Sequence, residues 1–168
     1  TSPSHKLIST AREMGIPVII TTRGDEWECG SAKFNTLWPP KNLLSRNRNH
    51  ASLAFEILVH GRRLRFSGDA DSKSMISEIQ NEPSADVFEL PHHGARCLDL
   101  ETILRKRPPR LLLQSSSRRR AQKGPWHTWP GSPHLATGLH GGICIQVDSG
   151  GGMTAAAQNR FYTWPREP

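Results

Sequence analysis

Three residues on two turns have the types and positions that a metal-dependent hydrolase needs. Asp69 lies in Ser67-Gly68-Asp69, and His92 and His93 lie in Pro91-His92-His93-Gly94; each turn directly follows a short apolar segment. Loops at strand ends are where a rigid sheet presents functional groups. A carboxylate and imidazoles that converge there can bind a divalent metal, which lowers the pKa of a bound water toward neutrality. The pattern therefore predicts a hydrolytic metal site.

Each residue alone also has a simpler interpretation. Asp69 precedes a helical pattern that begins at Ser72, so it could form a turn or cap that helix. A histidine pair in a loop could simply be exposed to solvent without any function. It is the combination of the two turns, with about two dozen residues between them, that favours a functional site.

The charge of the chain favours an anionic substrate. Net charge is +7 with a pI near 9.9, and nucleic acid is the commonest polyanionic partner of such a chain. The basic residues fall into three clusters, of which the third contains Arg118, Arg119, Arg120 and Lys123. The alternative is that each cluster only solubilises the surface. We expect DNA or another polyanion as partner, with Arg118 and Arg119 among the substrate-binding residues.

The elements that must position these residues follow from hydrophobic periodicity. Leu53, Phe55, Ile57 and Val59 alternate with other residues before His60-Gly61 and a second strand, which predicts a β-hairpin. Helices are predicted over 4–14, 72–80 and 98–105. Other strands are predicted over 18–22, 26–29, 33–37, 86–90, 110–113 and 142–147 and near Met153, with exposed loops over 41–49 and 114–129. This order predicts one α/β (α+β) layered domain.

Composition narrows the class of protein. The 168 residues fit one domain. Three cysteines without a CxxC spacing argue against a disulfide framework or a zinc knuckle. Since no apolar run approaches the ~18–20 residues that span a bilayer, we expect no transmembrane segment and a soluble chain.

These motifs, in this order, resemble the metallo-β-lactamase-fold domain of ComEC-like competence (DNA-internalisation) proteins. The matching segments are Asn49-His50-Ala51-Ser52-Leu53, Ser67-Gly68-Asp69, Leu90-Pro91-His92-His93-Gly94, Ser115-Ser116, and Val147-Asp148 with Gly150. The resemblance is strongest over 17–156, which leaves 157–168 as a tail. The resemblance implies an αββα sandwich and phosphodiester hydrolysis, with the DNA strand that is not taken up as the expected substrate.

The resemblance also implies individual roles. Asp69 would bridge or hold a divalent metal, Zn or Mn, and His93 would be its partner ligand. His92 would be a further ligand or contact phosphate. His127 matches a late family histidine by its distance from Asp148, with His134 as the alternative. Asn49, Ser52 and Ser115 would bind substrate.

One family feature is missing. Metallo-β-lactamase folds carry an early His-x-His-x-Asp-His cluster, whereas His5 is the only histidine here before His50. We therefore expect the C-terminal portion of such a domain, incomplete on its N-terminal side. Asp69 with one or two histidines would hold metal weakly, and the isolated chain would be weakly active or inactive. An upstream segment, or the membrane channel domain of a longer parent, would be a partner, and the family implies the outer face of the bacterial cytoplasmic membrane.

Two other functions stay open. The first is a nucleic-acid-binding remnant of the fold without catalysis. The second is a metallo-hydrolase of small anionic esters, because a fold does not fix a substrate.

Overall fold

The protein is described by a computed structural model that covers residues 3–44, 47, 49–70 and 73–166. Parts of the predicted 41–49 loop, the predicted helix start at Ser72 and the end of the predicted tail at 167–168 lie outside the described residues. The helices are α1 (Pro3–Glu13), α2 (Lys73–Asn81), α3 (Leu98–Lys106), α4 (Arg118–Lys123) and α5 (Thr137–His140). No helix in the described ranges is long and apolar enough to cross a membrane.

A seven-stranded mixed sheet forms the centre of the molecule. Its order is β1-β2-β3-β4-β5-β6-β7; neighbours pair antiparallel from β1 to β4 and parallel from β4 to β7. The strands are β1 (Glu26–Cys29), β2 (Ala32–Trp38), β3 (Ala54–Val59), β4 (Arg62–Phe66), β5 (Val87–Glu89), β6 (Leu111–Gln114) and β7 (His134–Ala136). Four parallel strands therefore present their carboxyl ends at one edge of the sheet.

A second, antiparallel sheet contains β8 (Cys144–Val147), β9 (Met153–Ala157) and β10 (Arg160–Trp164) in the order β10-β9-β8. It packs on one face of the large sheet, where Met153 and Ala155 join Leu64, Val87 and Leu111 in a buried cluster. The other face is covered by helices.

The helical face holds the larger core. Met75, Ile76 and Ile79 recur at helical spacing along α2 and are buried against the sheet. Leu100 and Leu104 are likewise at helical spacing along α3 and are buried in this core. The result is a helix–sheet–sheet arrangement of the mixed α/β class, as the element order predicted.

The β3–β4 hairpin is confirmed, and its turn has a clear cause. His60 and Gly61 have φ values of +49° and +80°. Two consecutive positive φ values match the twist of an antiparallel hairpin. The predicted strands at 26–29, 33–37, 86–90, 110–113 and 142–147 are also present, with each end within two residues of the prediction.

Three predictions were wrong. Residues 18–22 have no regular secondary structure and pair with no strand among the described residues, and Ile19 and Ile20 are exposed. The predicted loop at 114–129 contains α4 and a 3₁₀ turn at Pro125–Thr128. The predicted tail contains β10, because its aromatic side chains pack on the second core: Tyr162 and Trp164 contact that cluster.

Candidate metal site

The two predicted site turns lie side by side at the carboxyl edge of the sheet. Asp69 follows β4 and His92 follows β5, and these strands are parallel neighbours. The backbone N–H of His92 donates to the carbonyl of Gly68 at 2.9 Å. The Ser67-Gly68-Asp69 turn and the histidine turn are thus joined by a hydrogen bond.

The histidine turn has an unusual backbone. His92, His93 and Gly94 have φ values of +50°, +57° and +78°, three successive left-handed residues. Such a conformation is uncommon for residues other than glycine and costs roughly 1–3 kcal/mol for each strained residue. It persists only where surrounding groups fix it, and strain of this kind is concentrated at functional sites.

Two buried side chains fix this turn. The Gln114 amide donates from Nε2 to the carbonyl of His93 at 2.9 Å, and the indole Nε1 of Trp126 donates to the carbonyl of Gly94 at 2.9 Å. Both side chains are fully buried. A hydrogen bond from a buried donor is costly to lose, because its partner is then left unsatisfied. The turn is therefore held by groups that the motif itself does not contain.

The imidazole of His93 is held by its Nδ1 atom, which lies 2.7 Å from the carbonyl oxygen of Ser115. A carbonyl only accepts, so Nδ1 carries the proton. Nε2 then faces Oδ1 of Asp69 at 3.4 Å, and both side chains remain about half exposed (49% and 44%). A ring N–H on a backbone carbonyl is the usual way in which a metal-binding histidine is oriented. Ser115, which was predicted to bind substrate, therefore helps to position the His93 ring through its carbonyl group.

The Asp69–His93 separation fits two ligands of one ion. Ligand atoms about 2.1 Å from a tetrahedral zinc ion lie about 3.4 Å from each other. Around the rest of this position, however, no group of three or more His, Cys, Asp or Glu side chains in the described part of the chain could hold a metal. The described residues therefore supply two of the three or four protein ligands that a stable zinc centre has.

Glu89 is a further carboxylate that contacts the Asp69 turn, and it was not identified from the sequence. Its Oε2 accepts from the backbone N–H of Gly68 at 3.4 Å. Burial raises the pKa of Glu89, although the amides of Gly68 and Ser67 and the charge of His93 act against this. The side chain thus supports the Asp69 turn. The sequence feature that could have identified Glu89 is its position at the end of a short apolar strand.

Asp69 is positioned from the other side by Ser52, a predicted substrate-binding residue. The Ser52 hydroxyl accepts from the backbone N–H of Asp69 at 3.1 Å. The backbone N–H of Ser52 in turn donates to the carbonyl of Asn49 at 3.1 Å. The Asn49–Ser52 segment, whose residues the sequence assigned to substrate, therefore supports the Asp69 turn in this structure.

The other predicted residues are distributed around this centre. The ring centroids of His92 and His93 are 6.5 Å apart, and it is the His93 ring that faces Asp69. Arg119 lines a groove beside the histidine turn, whereas Arg118 is exposed outside that groove.

The two candidate late ligands belong to a separate histidine cluster. His127 is exposed on the 3₁₀ turn after α4, and His134 begins β7. Burial lowers the pKa of His134 to about 4, with further contributions from the charges of His140 and His127. Within the described residues, neither histidine joins Asp69 and His93 in a metal-binding group.

Comparisons with known proteins give one weak likeness. No family model matches the chain. "Uncharacterized protein YcaI" from Escherichia coli (strain K12) is 23% identical over 106 residues, which cover 61% of this chain and 14% of that relative. The chain thus matches a small part of a much longer protein. Family membership stays a prediction from the motifs.

Proposed function

We propose that this chain is part of a metal-dependent phosphodiesterase of the metallo-β-lactamase type, similar to the DNA-uptake nuclease domain of ComEC-like proteins. The observation that carries the proposal is the 3.4 Å separation of His93 Nε2 and Asp69 Oδ1 on adjoining strand-end turns. The helix–sheet–sheet layers are compatible with part of an αββα sandwich.

Individual residues of this chain would have defined roles in such a site. Asp69 and His93 would hold a divalent ion, Zn or Mn, and an ion held there would lower the pKa of a bound water toward neutrality. The Ser115 carbonyl keeps the His93 ring oriented, and Ser52 and Glu89 keep Asp69 in place. Because two ligands hold metal weakly, the isolated chain would be weakly active or inactive. Other ligands would come from an upstream segment or another chain, at the outer face of the bacterial cytoplasmic membrane.

Metal titration tests the proposal without relying on activity. Binding of Mn²⁺ and Zn²⁺ is measured by calorimetry for the wild type, Asp69→Asn and His93→Asn; asparagine is chosen at 93 because it tolerates a positive φ. Asp99→Asn and His60→Asn are matched controls, because both side chains are exposed elsewhere and His60, like His93, has a positive φ. We expect weak 1:1 binding that either site variant reduces at least about tenfold (1.4 kcal/mol) and that the controls leave unchanged. Equal metal binding by wild type and both site variants would contradict the proposal.

A substrate panel separates the related functions. Cleavage of labelled DNA is compared with cleavage of a small phosphoester and a lactone, with Mn²⁺ or Zn²⁺ present. Metal-dependent DNA cleavage lost in Asp69→Asn supports the nuclease. DNA binding without metal binding supports a remnant, an outcome favoured by the presence of only two converging ligands among the described residues. Hydrolysis of small esters alone supports the third function.

A further inference from the structure

A groove of about 730 Å³ opens directly beside the histidine turn. One wall comes from the segment after that turn, and the other comes from α4 and the residues that flank it. The lining residues are Gly94, Ala95, Arg96, Ser117, Arg119, Arg120, Lys123, Gly124 and Pro125. Arg119, Arg120 and Lys123 of this set belong to the third basic cluster, of which Arg119 was named individually from the sequence as a substrate-binding residue.

The charge of the groove is of one sign. Four of its lining side chains are basic: Arg96, Arg119, Arg120 and Lys123. Among the described residues that line it, none is acidic. Arg96 pairs with Glu101, which does not line the groove, at 3.3 Å, and the Arg96 side chain remains 69% exposed. The described lining of the groove therefore carries a net positive charge.

The groove adjoins a smaller cavity that reaches His93 of the candidate metal site. Ser117 and Arg120 line the groove, and the same two residues line the smaller cavity, of about 340 Å³, with His93 and Ser115. A chain of phosphates in the groove would thus pass Arg120 and arrive at the His93 ring. Of the two residues that line both spaces, Arg120 is the basic one.

The groove offers charge rather than a surface for stacking bases. The nearby indoles of Trp126 and Trp129 are buried in the helical core. Within the described lining of the groove there is no aromatic side chain. Stacking platforms require exposed rings, whereas contacts to phosphate need only cations and carry no sequence information.

We infer that this groove binds the phosphodiester backbone of a nucleic-acid strand through Arg96, Arg119, Arg120 and Lys123, without reading its bases. The inference rests on the proposed function only for the direction of the strand, which would lead to Asp69 and His93. The binding itself requires no metal.

Fluorescence anisotropy with labelled dT12 and dA12 in EDTA tests the inference. The full chain is compared with the triple variant Arg119→Gln, Arg120→Gln, Lys123→Gln. The control triple variant removes the same charge from exposed residues outside the groove, namely Arg12→Gln, Lys106→Gln and Arg160→Gln. Both variants are first checked for unchanged circular dichroism and urea midpoint.

We expect the groove variant to bind dT12 at least about tenfold more weakly and the slope of log Kd against log salt to fall by about 2, since each phosphate contact on a single strand contributes about 0.7. The control variant should lose less than about threefold, and dT12 and dA12 should bind within about threefold of each other. Equal losses in the two variants, or a tenfold preference between the oligonucleotides, would overturn the inference. Because EDTA removes metal, this outcome is independent of whether Asp69 and His93 bind an ion.

Discussion

Gly94 and Gln114 share a space that holds only one side chain. A Cβ atom on Gly94 would lie 2.5 Å from Nε2 and 2.6 Å from Cδ of Gln114. Gln114 cannot move aside, because it is fully buried and its amide donates to the carbonyl of His93. The glycine of the His-His-Gly motif is thus required by a side chain from the neighbouring strand.

Gly94→Ala should therefore destabilise the protein by about 3 kcal/mol, as the sum of a left-handed alanine and a broken buried hydrogen bond. Gly142→Ala is the matched control, since Gly142 is exposed and a Cβ there meets nothing within 4 Å. The control should change the free energy of unfolding by less than about 0.5 kcal/mol. Urea unfolding followed by circular dichroism measures both variants. A Gly94→Ala protein as stable as the control would show that the turn is not constrained in this way.

A second prediction compares two neighbouring tryptophans. Trp126 Nε1 donates to the carbonyl of Gly94, whereas the buried Nε1 of Trp129 has no acceptor among the described residues. Replacement by phenylalanine removes a similar side-chain volume at both positions, but only at Trp126 does it also remove a hydrogen bond. Trp126→Phe should be about 1–2 kcal/mol less stable than Trp129→Phe. Equal urea midpoints for the two variants would mean that the indole does not hold the turn.

Much of the fold was predictable because its strands carry a clear pattern. The β3–β4 hairpin alternates apolar and other residues around a His-Gly turn, and α2 and α3 place their apolar residues at helical spacing. The adjacency of Asp69 and His93 followed from the same signals, because both come directly after strands that proved to be parallel neighbours.

The missed elements lacked a periodic signal or depended on distant partners. Helix α4 has six residues, of which Ala121 alone is buried and apolar, too short for a periodicity to appear. Strand β7 has three residues and is defined by its pairing with β6. Conversely, residues 18–22 have strand-forming side chains but no partner strand in the described ranges. Gln114 and Trp126 could not be assigned to the site, because their role depends on tertiary packing.

The third prediction concerns pH and His134. Its Nε2 is buried without a described partner, and burial lowers its pKa from 6.5 to about 4. The unfolded chain therefore takes up a proton first as pH falls. The stability contributed by neutral His134 is complete above about pH 6.5 and is lost between about pH 6.5 and 4. After allowance for its partial exposure, the loss should be about 2 kcal/mol.

His134→Leu should remove this part of the pH dependence, because the groups that face His134, including His140 and His127, stay in place. His127→Gln is the control, since its exposed ring should leave most of the slope intact. The free energy of unfolding of all three proteins is measured by urea titration between pH 4 and 7. Because carboxyl groups such as Glu89 titrate in every one of these proteins, their contribution cancels when the free energy of the variant is subtracted from that of the wild type. An identical slope in wild type and His134→Leu would contradict the assignment.

The last prediction concerns how the second sheet is attached. The buried Arg62 guanidinium donates to the carbonyls of Gly151, Trp164 and Pro165 at 2.6, 3.2 and 2.6 Å and pairs with Asp86 at 2.9 Å. One side chain on β4 thus holds both the β8–β9 turn and the end of β10.

Arg62→Met keeps most of the side-chain volume but leaves these acceptors without their donor, which should cost about 3 kcal/mol. Arg160→Met, on the exposed side of β10, is the control and should change stability by less than about 0.5 kcal/mol. Hydrogen exchange gives the specific readout: amides of 160–164 should lose protection in Arg62→Met well before those of the β5–β6 core. Uniform loss of protection through both sheets would show instead that Arg62 stabilises the domain as a whole, because local opening of β10 would then not precede global unfolding.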